Sequence, residues 1–360
     1  MKPPKSNTVD VAQICTYFRA SGLEETELKP VISTGQTGGP FMKFKSAIAA
    51  ALLSAVMSAP AAAQDIAVIV GSAQDGFWNM VKKGVDDATL MVEANGGTVN
   101  FMQTQNYDNF GPDLVSLIEQ AVAQGAEGIA IPNWLPESET PALQAARDAG
   151  VVITSFNAGQ GEMKNYDALN YFGSDEYLAG VAGGKYLAGK GATKILCHIQ
   201  NPGAVNLETR CKGVEDGAKE AGAAAYILRV PANLDQDMVG TSEAIKAELI
   251  ADPSIDAVIN LAAWAADASA SAIDQLGKTG EIQLGTFDMS ASVLERISNG
   301  TQAMAIDQQP YLQGFLATSM LFANLKFGTE IATKPVLTGP AIVDASNVET
   351  AIEGVKLGAR

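Results

Sequence analysis

The chain has 360 residues, a formal net charge of -16, 47% hydrophobic residues and 18% charged residues. That is the composition of a globular chain with ample core, not of a disordered one. A field of that sign repels phosphate backbones and sets nucleic acid aside as a partner.

Residues 1–41 carry no clear period and end in the loop-like STGQTGGP. They read as an upstream extension foreign to the native chain, with translation starting at Met42. Residues 42–63, MKFKSAIAAALLSAVMSAPAAA, follow the order of a signal peptide: Lys43 and Lys45, an apolar run from Ala47 to Met57, then Ala61-Ala62-Ala63 as the cleavage site. A membrane anchor would need a longer core. The working protein is therefore expected to start near Gln64, in the periplasm.

From Asp65 the pattern becomes rhythmic. Ile66 to Val70 is continuously apolar, as in a parallel strand covered on both faces. Val81, Val85, Ala88 and Val92 recur at helical spacing and Gly96-Gly97 stops the helix. Strand and helix then alternate: TVNFMQ, a helix on Leu114 to Val122, EGIAIP, a helix over Pro141 to Ala149, and VVITS. Tyr166 to Gly173 reads as a strand, after which the rhythm restarts with a helix over Tyr177 to Leu187. TKILCHI, AAYILRV, DAVIN, EIQLGTF and QAMAI are strands; helices cover Glu208–Ala221, Val239–Ile250, Asp267–Leu276, Ser290–Ser298 and Tyr311–Phe327. GPAIV is a last possible strand. The fold class is α/β, with two doubly wound parallel-sheet domains. EQAVAQGAEGIAIPN and KAELIADPSIDAVIN echo each other, ending at Asn133 and Asn260, which suggests duplication.

Catalysis is poorly served. The one histidine, His198, sits in an apolar strand and reads as packed, not as a base. Cys197 and His198 are neighbours on a strand and point to opposite faces, so they do not form a metal pair. Asp235 and Asp237 lack the glycine and glutamate of a calcium loop. GSAQDGF is not a dinucleotide fingerprint. Cys15 precedes the signal, so Cys197 and Cys211 remain as a pair in an oxidising compartment, where a disulfide is expected over two buried thiols. No cofactor or metal is expected.

Binding is better served. Loops after strands carry Asp75, Phe77 and Trp78; Asn133 and Trp134; Phe156 and Asn157; Arg210; Trp264; Asp288; and Gln308 with Gln309. A sugar needs this mix: its C–H faces pack on aromatic rings, and its hydroxyls suit Asp, Asn, Gln and Arg. The plainer alternatives are that Phe77 or Trp78 is core and that Asp288 caps the next helix.

On these residues the chain resembles the ribose-binding-protein-like (type I) substrate-binding proteins of bacterial sugar ABC importers, from about Asp65 to Val343. DGFWNMVKKGVDDA is similar to the family's first loop and helix, where paired aromatics hold the sugar, here Phe77 and Trp78. NLETRCKGVEDG supplies the ligand arginine, Arg210; LGTFDMS the ligand aspartate, Asp288; AIDQQPYLQG the interdomain crossing with its glutamine, Gln308. Where ribose binders often carry Asp-Arg, this chain has Phe156-Asn157, which argues against ribose; Asp75 stands where asparagine is common. The resemblance implies a three-segment hinge near Gly173, Gln308 and Leu337. One lobe would then hold residues 64–173 plus 309–337, the other 174–308 plus 338–360. It implies a monomer that binds a monosaccharide or polyol by hinge closure and delivers it to an ABC permease in the inner membrane, with a chemoreceptor as a further partner. An exported α/β enzyme and a sugar-responsive regulator core are the competing readings; the second lacks a helix-turn-helix and a basic face.

Overall fold

The computed structural model describes residues 65–360; the upstream extension and the signal peptide lie outside the described residues. The first lobe opens with β1 (Asp65–Ser72), α1 (Phe77–Ala94), β2 (Thr98–Thr104), α2 (Phe110–Ala123), β3 (Gly128–Ile131), α3 (Pro136–Asp148), β4 (Val152–Phe156) and β5 (Tyr171–Ser174). The second has α4 (Glu176–Gly189), β6 (Lys194–Ile199), α5 (Val205–Glu220), β7 (Ala224–Arg229), α6 (Met238–Ala251), β8 (Ala257–Asn260), α7 (Ala263–Gln275), β9 (Gln283–Phe287), α8 (Ala291–Ser298) and β10 (Met304–Asp307). Then α9 (Pro310–Phe327) and β11 (Val336–Gly339) return to the first lobe, and β12 (Ala341–Val343) and α10 (Val348–Lys356) to the second.

Two six-stranded sheets result, ordered β2-β1-β3-β4-β5-β11 and β7-β6-β8-β9-β10-β12. All neighbours run parallel except β12, which is antiparallel to β10. Each sheet has the doubly wound order that puts a ligand at the carboxyl ends of its strands. The repeated order explains the sequence echo, since α2–β3 and α6–β8 hold equivalent places. Helix–helix contacts repeat as well: α1 packs on α9 and α4 on α5. In the second pair the approach is glycine-dependent. A Cβ on Gly180 would strike the Arg210 carbonyl, and one on Gly213 the Tyr177 carbonyl. That contact fixes the position of Arg210.

The core follows the apolar runs. Ile66 to Val70 are at most 1% exposed, and Val81, Val85, Ala88 and Val92 bury one face of α1 against the sheet. Cys197 on β6 and Cys211 on α5 form a disulfide with Cα atoms 5.7 Å apart. It clamps α5 to the sheet one residue beyond Arg210.

Several elements differ from the sequence reading. Gln160–Tyr166 is a 3-10 segment, so the strand expected from Tyr166 shortens to β5. Helix α3 starts at Pro136 and carries Pro141 inside it. Helix α7 starts at Ala263, not Asp267, which moves Trp264 from a loop into the first helical turn. The tail holds two short strands on different sheets and α10, whose Val348, Ala351, Ile352 and Val355 recur at a helical spacing that the sequence reading passed over.

Candidate functional site

The strand carboxyl ends of both lobes face one cavity with about 470 Å³ of free space. The first-lobe wall is aromatic. Phe77 and Trp78 open α1, Tyr107 and Phe110 follow β2, and Trp134 follows β3. These rings meet edge to face: Phe77–Trp78 at 4.9 Å, Trp78–Trp134 at 5.4 Å and Tyr107–Phe110 at 4.7 Å between centroids. Their polar atoms are already used. Trp78 Nε1 donates to the Tyr107 hydroxyl (2.9 Å), which donates to Asp75 Oδ2 (3.2 Å); Trp134 Nε1 donates to Asn157 Oδ1 (3.2 Å). What remains toward the cavity is ring surface. Glu139 holds the Trp134 loop by accepting from the Trp134 and Leu135 amides, both at 3.0 Å. Burial pushes its carboxyl up to about 8, against those two bonds.

The second-lobe wall is polar. Gln200 and Asn201 follow β6, Asn206 and Arg210 lie on α5, Asp235 follows β7, and Asp288 follows β9. The Arg210 guanidinium is buried and held on several sides. It donates to both oxygens of Glu176 (2.5 and 3.1 Å), to Gln308 Oε1 (2.6 Å) and lies 4.6 Å over the Phe287 ring. Gln308 Nε2 in turn donates to Asp288 Oδ1 (2.5 Å). Asn157 and Asp288 hold equivalent positions after the fourth strand of each lobe. Both adopt left-handed backbone, with φ of 61° and 67°, an uncommon conformation that is often found at binding sites.

Three carboxyls face this cavity and only one guanidinium. Burial, reinforced by the Asp75 charge, raises Asp235 to about 7. Burial raises Asp288 to about 7 as well, with Arg210 opposing. Asp75 is also raised by burial, against its bonds from the Phe77 amide and Tyr107. His198 is sealed within the second sheet and does not line the cavity, and burial lowers it to about 4, which leaves it neutral. Among the described residues no group of three or more His, Cys, Asp or Glu is placed to hold a metal ion.

Of the residues singled out from sequence, the structure brings together Asp75, Phe77, Trp78, Asn157, Arg210, Asp288 and Gln308. Trp134 joins them, and four stand elsewhere: Phe156 is core, Gln309 bonds the Thr338 carbonyl, and Asn133 and Trp264 serve other contacts. Asn133 is fully buried and donates to Thr140 Oγ1 on α3 (3.0 Å), just as its counterpart Asn260 accepts from Ser269 on α7 (2.9 Å). Both asparagines pin a strand end to the next helix. Trp264 lines an adjoining space, because α7 starts before it. Sequence reasoning passed over Tyr107, Phe110, Gln200, Asn201, Asn206 and Asp235 as site residues. Their signal was position: Tyr107, Gln200, Asn201 and Asp235 sit in loops at strand carboxyl ends, where such sheets bind ligands.

Two doubly wound lobes, closed on one cavity between an aromatic and a polar wall, define a substrate-binding protein of a solute importer. The chain belongs to the family described as the periplasmic binding protein domain, whose model matches residues 66–330. It is similar to a carbohydrate transporter structure from Acidothermus cellulolyticus in complex with myo-inositol: 33% identity, TM-score 0.76, covering 83% of this chain and all of that one. It is 24% identical over 287 residues to the xylose/arabinose-binding protein XylF of Sulfolobus acidocaldarius, covering 76% of this chain and 69% of that protein. The fold is shared with GanP, a glucose-galactose binding protein from Geobacillus stearothermophilus, at TM-score 0.69 and 19% identity over 79% of this chain and 98% of that one. Sugar-importer binding proteins are thus its relatives, and the expected family and fold are confirmed.

Proposed function

We propose that the protein binds one uncharged, hydroxyl-rich ring, a cyclitol or a monosaccharide, in the interlobe cavity and hands it to an ABC permease. The observation that carries this reading is the opposition of ring surface on the first lobe to fixed hydrogen-bonding groups on the second. A sugar or cyclitol has apolar C–H faces and a rim of hydroxyls, so it satisfies both walls at once. The myo-inositol complex of the relative at 33% identity favours a cyclitol.

In this reading Phe77, Trp78 and Trp134 pack on the ring, while Asp75, Asn157, Arg210, Asp235, Asp288 and Gln308 bond its hydroxyls. The lobes follow sheet membership, residues 65–174 with 310–339 and residues 176–307 with 341–360, so the boundaries expected at 173 and 337 shift past the ends of β5 and β11. They are joined by crossings at Asp175, Gln308–Gln309 and Pro340. The second and third crossings are tied together: Thr338 Oγ1 donates to the Gln308 carbonyl (2.7 Å) and Gln309 Nε2 to the Thr338 carbonyl (2.6 Å). They bend as a unit when the lobes close. Ligand contacts from both sides favour the closed form. No covalent step is involved. The protein acts as a monomer in the periplasm, exported by residues 42–63, and a chemoreceptor reads the same closed form.

Thermal melting of residues 64–360 against pentoses, hexoses, amino sugars and inositols tests the reading. A ligand at about 100 times its Kd adds about 2.7 kcal/mol of stability, so at least one ring is expected to raise Tm by several degrees. No rise with any of them would sink the reading.

A further inference from the structure

Beside the ring cavity lies a second space of about 770 Å³, the larger of the two. Asp75, Phe77 and Asp288 border both, so the two spaces share a partition built from both lobes.

The second space repeats the chemistry of the first. Trp264, in the first turn of α7, forms part of its wall, and its indole N–H is buried without an acceptor. The indoles of Trp78 and Trp134 have theirs satisfied within the protein. That N–H has no surface open to the space, so what Trp264 offers a ligand is the face of its indole ring. Met80 from the first lobe and Met289 from the second supply adaptable apolar surface. Asp267 closes the far side. Its charge is already balanced by Arg296 (2.6 Å), and it accepts from Ser292 (2.8 Å), so it offers lone pairs to a hydroxyl without calling for a cation. Helix α10, through Val355, completes the wall.

Building on the ring-binding reading above, we propose that the cleft is bipartite. The ring cavity holds one hydroxyl-rich ring, and the space beside Trp264 holds a second, joined by a glycosidic oxygen that passes between Phe77 and Asp288. The ligand class then includes glycosylated cyclitols and disaccharides as well as single rings. This assigns a role to Trp264, which the ring cavity leaves without one.

Isothermal titration of residues 64–360 tests it. The probes are myo-inositol, glucose and galactose, then galactosyl-myo-inositol, maltose, lactose, and the methyl and phenyl glycosides of the two hexoses. At least one two-ring ligand is expected to bind within about tenfold of its single-ring parent. Trp264→Ala is expected to weaken that ligand by about tenfold or more while changing the parent less than about twofold. Met80→Trp, which fills the space from the other lobe, should discriminate in the same way and serves if Trp264→Ala fails to fold. The proposal is overturned if every two-ring ligand binds more than about 100-fold weaker than its parent. It is also overturned if both variants weaken parent and glycoside alike, or if phenyl glycosides outbind all two-ring ligands, which would make this an apolar-aglycone pocket. Binding of single rings alone leaves the proposed function standing and removes the second ring. Binding of nothing removes both, and binding of two-ring ligands only upholds the proposal.

Discussion

The two walls of the cleft do different work although the lobes share one topology. On the first lobe the loops after β1, β2 and β3 present rings whose polar atoms are turned back into their own lobe. On the second, the loops after β6, β7 and β9 present amides and carboxyls, with a guanidinium from α5. The same duplicated scaffold therefore supplies a face for packing and a face for hydrogen bonding. Packing tolerates many rings, whereas the fixed polar groups choose among them, so selectivity is expected to reside in the second lobe.

The sharpest break in that comparison is Arg210→Ala. It strips the polar wall of its one cation and leaves Glu176 buried and unpaired. Losing one partner of such a pair costs about 3–5 kcal/mol. Chemical denaturation should register that loss, and titration with the best ligand should show binding weakened more than about 100-fold. On the other wall, Trp134→Ala removes ring surface without removing a charge. Affinity is expected to fall by about 10- to 100-fold for every bound ring alike, measured by titration across the ligand panel. Replacing both Cys197 and Cys211 by serine opens a loop whose ends are 14 residues apart. By loop entropy that costs about 3 kcal/mol, visible as a lower Tm with affinity nearly unchanged.

The three carboxyls set a pH dependence. Asp235 and Asp288 reach about 7 in the closed form, and in the open form they return toward the usual carboxylate range near 4. A raised pKa means closure takes up protons, so empty closure is favoured at pH 5 and opposed as pH rises through 7. Scattering from the ligand-free protein should give a larger radius of gyration at pH 8 than at pH 5. The smallest expected effect belongs to Asn133→Ala. It removes one buried hydrogen bond to Thr140 and costs about 1 kcal/mol of stability, while ligand affinity stays within about twofold.

How much was legible in the sequence follows from the physics of each signal. Strands buried on both faces, such as Ile66–Val70 and Ile129–Ile131, read as unbroken apolar runs, and helices between them as 3.6-residue periods. Phe77, Asp288 and Gln308 could be placed at the cavity from sequence because they follow strand runs, and Arg210, which lies inside α5 and not in a loop, because its segment is similar to the family's. Asn133 was misread because an asparagine at a strand end looks the same whether it faces a ligand or the following helix. Only the Thr140 contact separates the two cases. Asp235 was missed as a site residue because its environment is made across the cleft, by Asp75 and Tyr107 of the other lobe, more than a hundred residues away in sequence. Strand β11 and strand β12 are three or four residues long and belong to different sheets, so no local period marks where the chain changes lobes.

The central claim is that one small ring is gripped from both lobes at once. Titration of the best-bound ring into Phe77→Ala, Asp288→Ala and the wild type tests it most directly. The account expects each variant to weaken the same ligand by about tenfold or more, one through lost packing and the other through lost hydrogen bonds. An affinity unchanged in either variant would contradict it, because that lobe would then make no contact with the ligand.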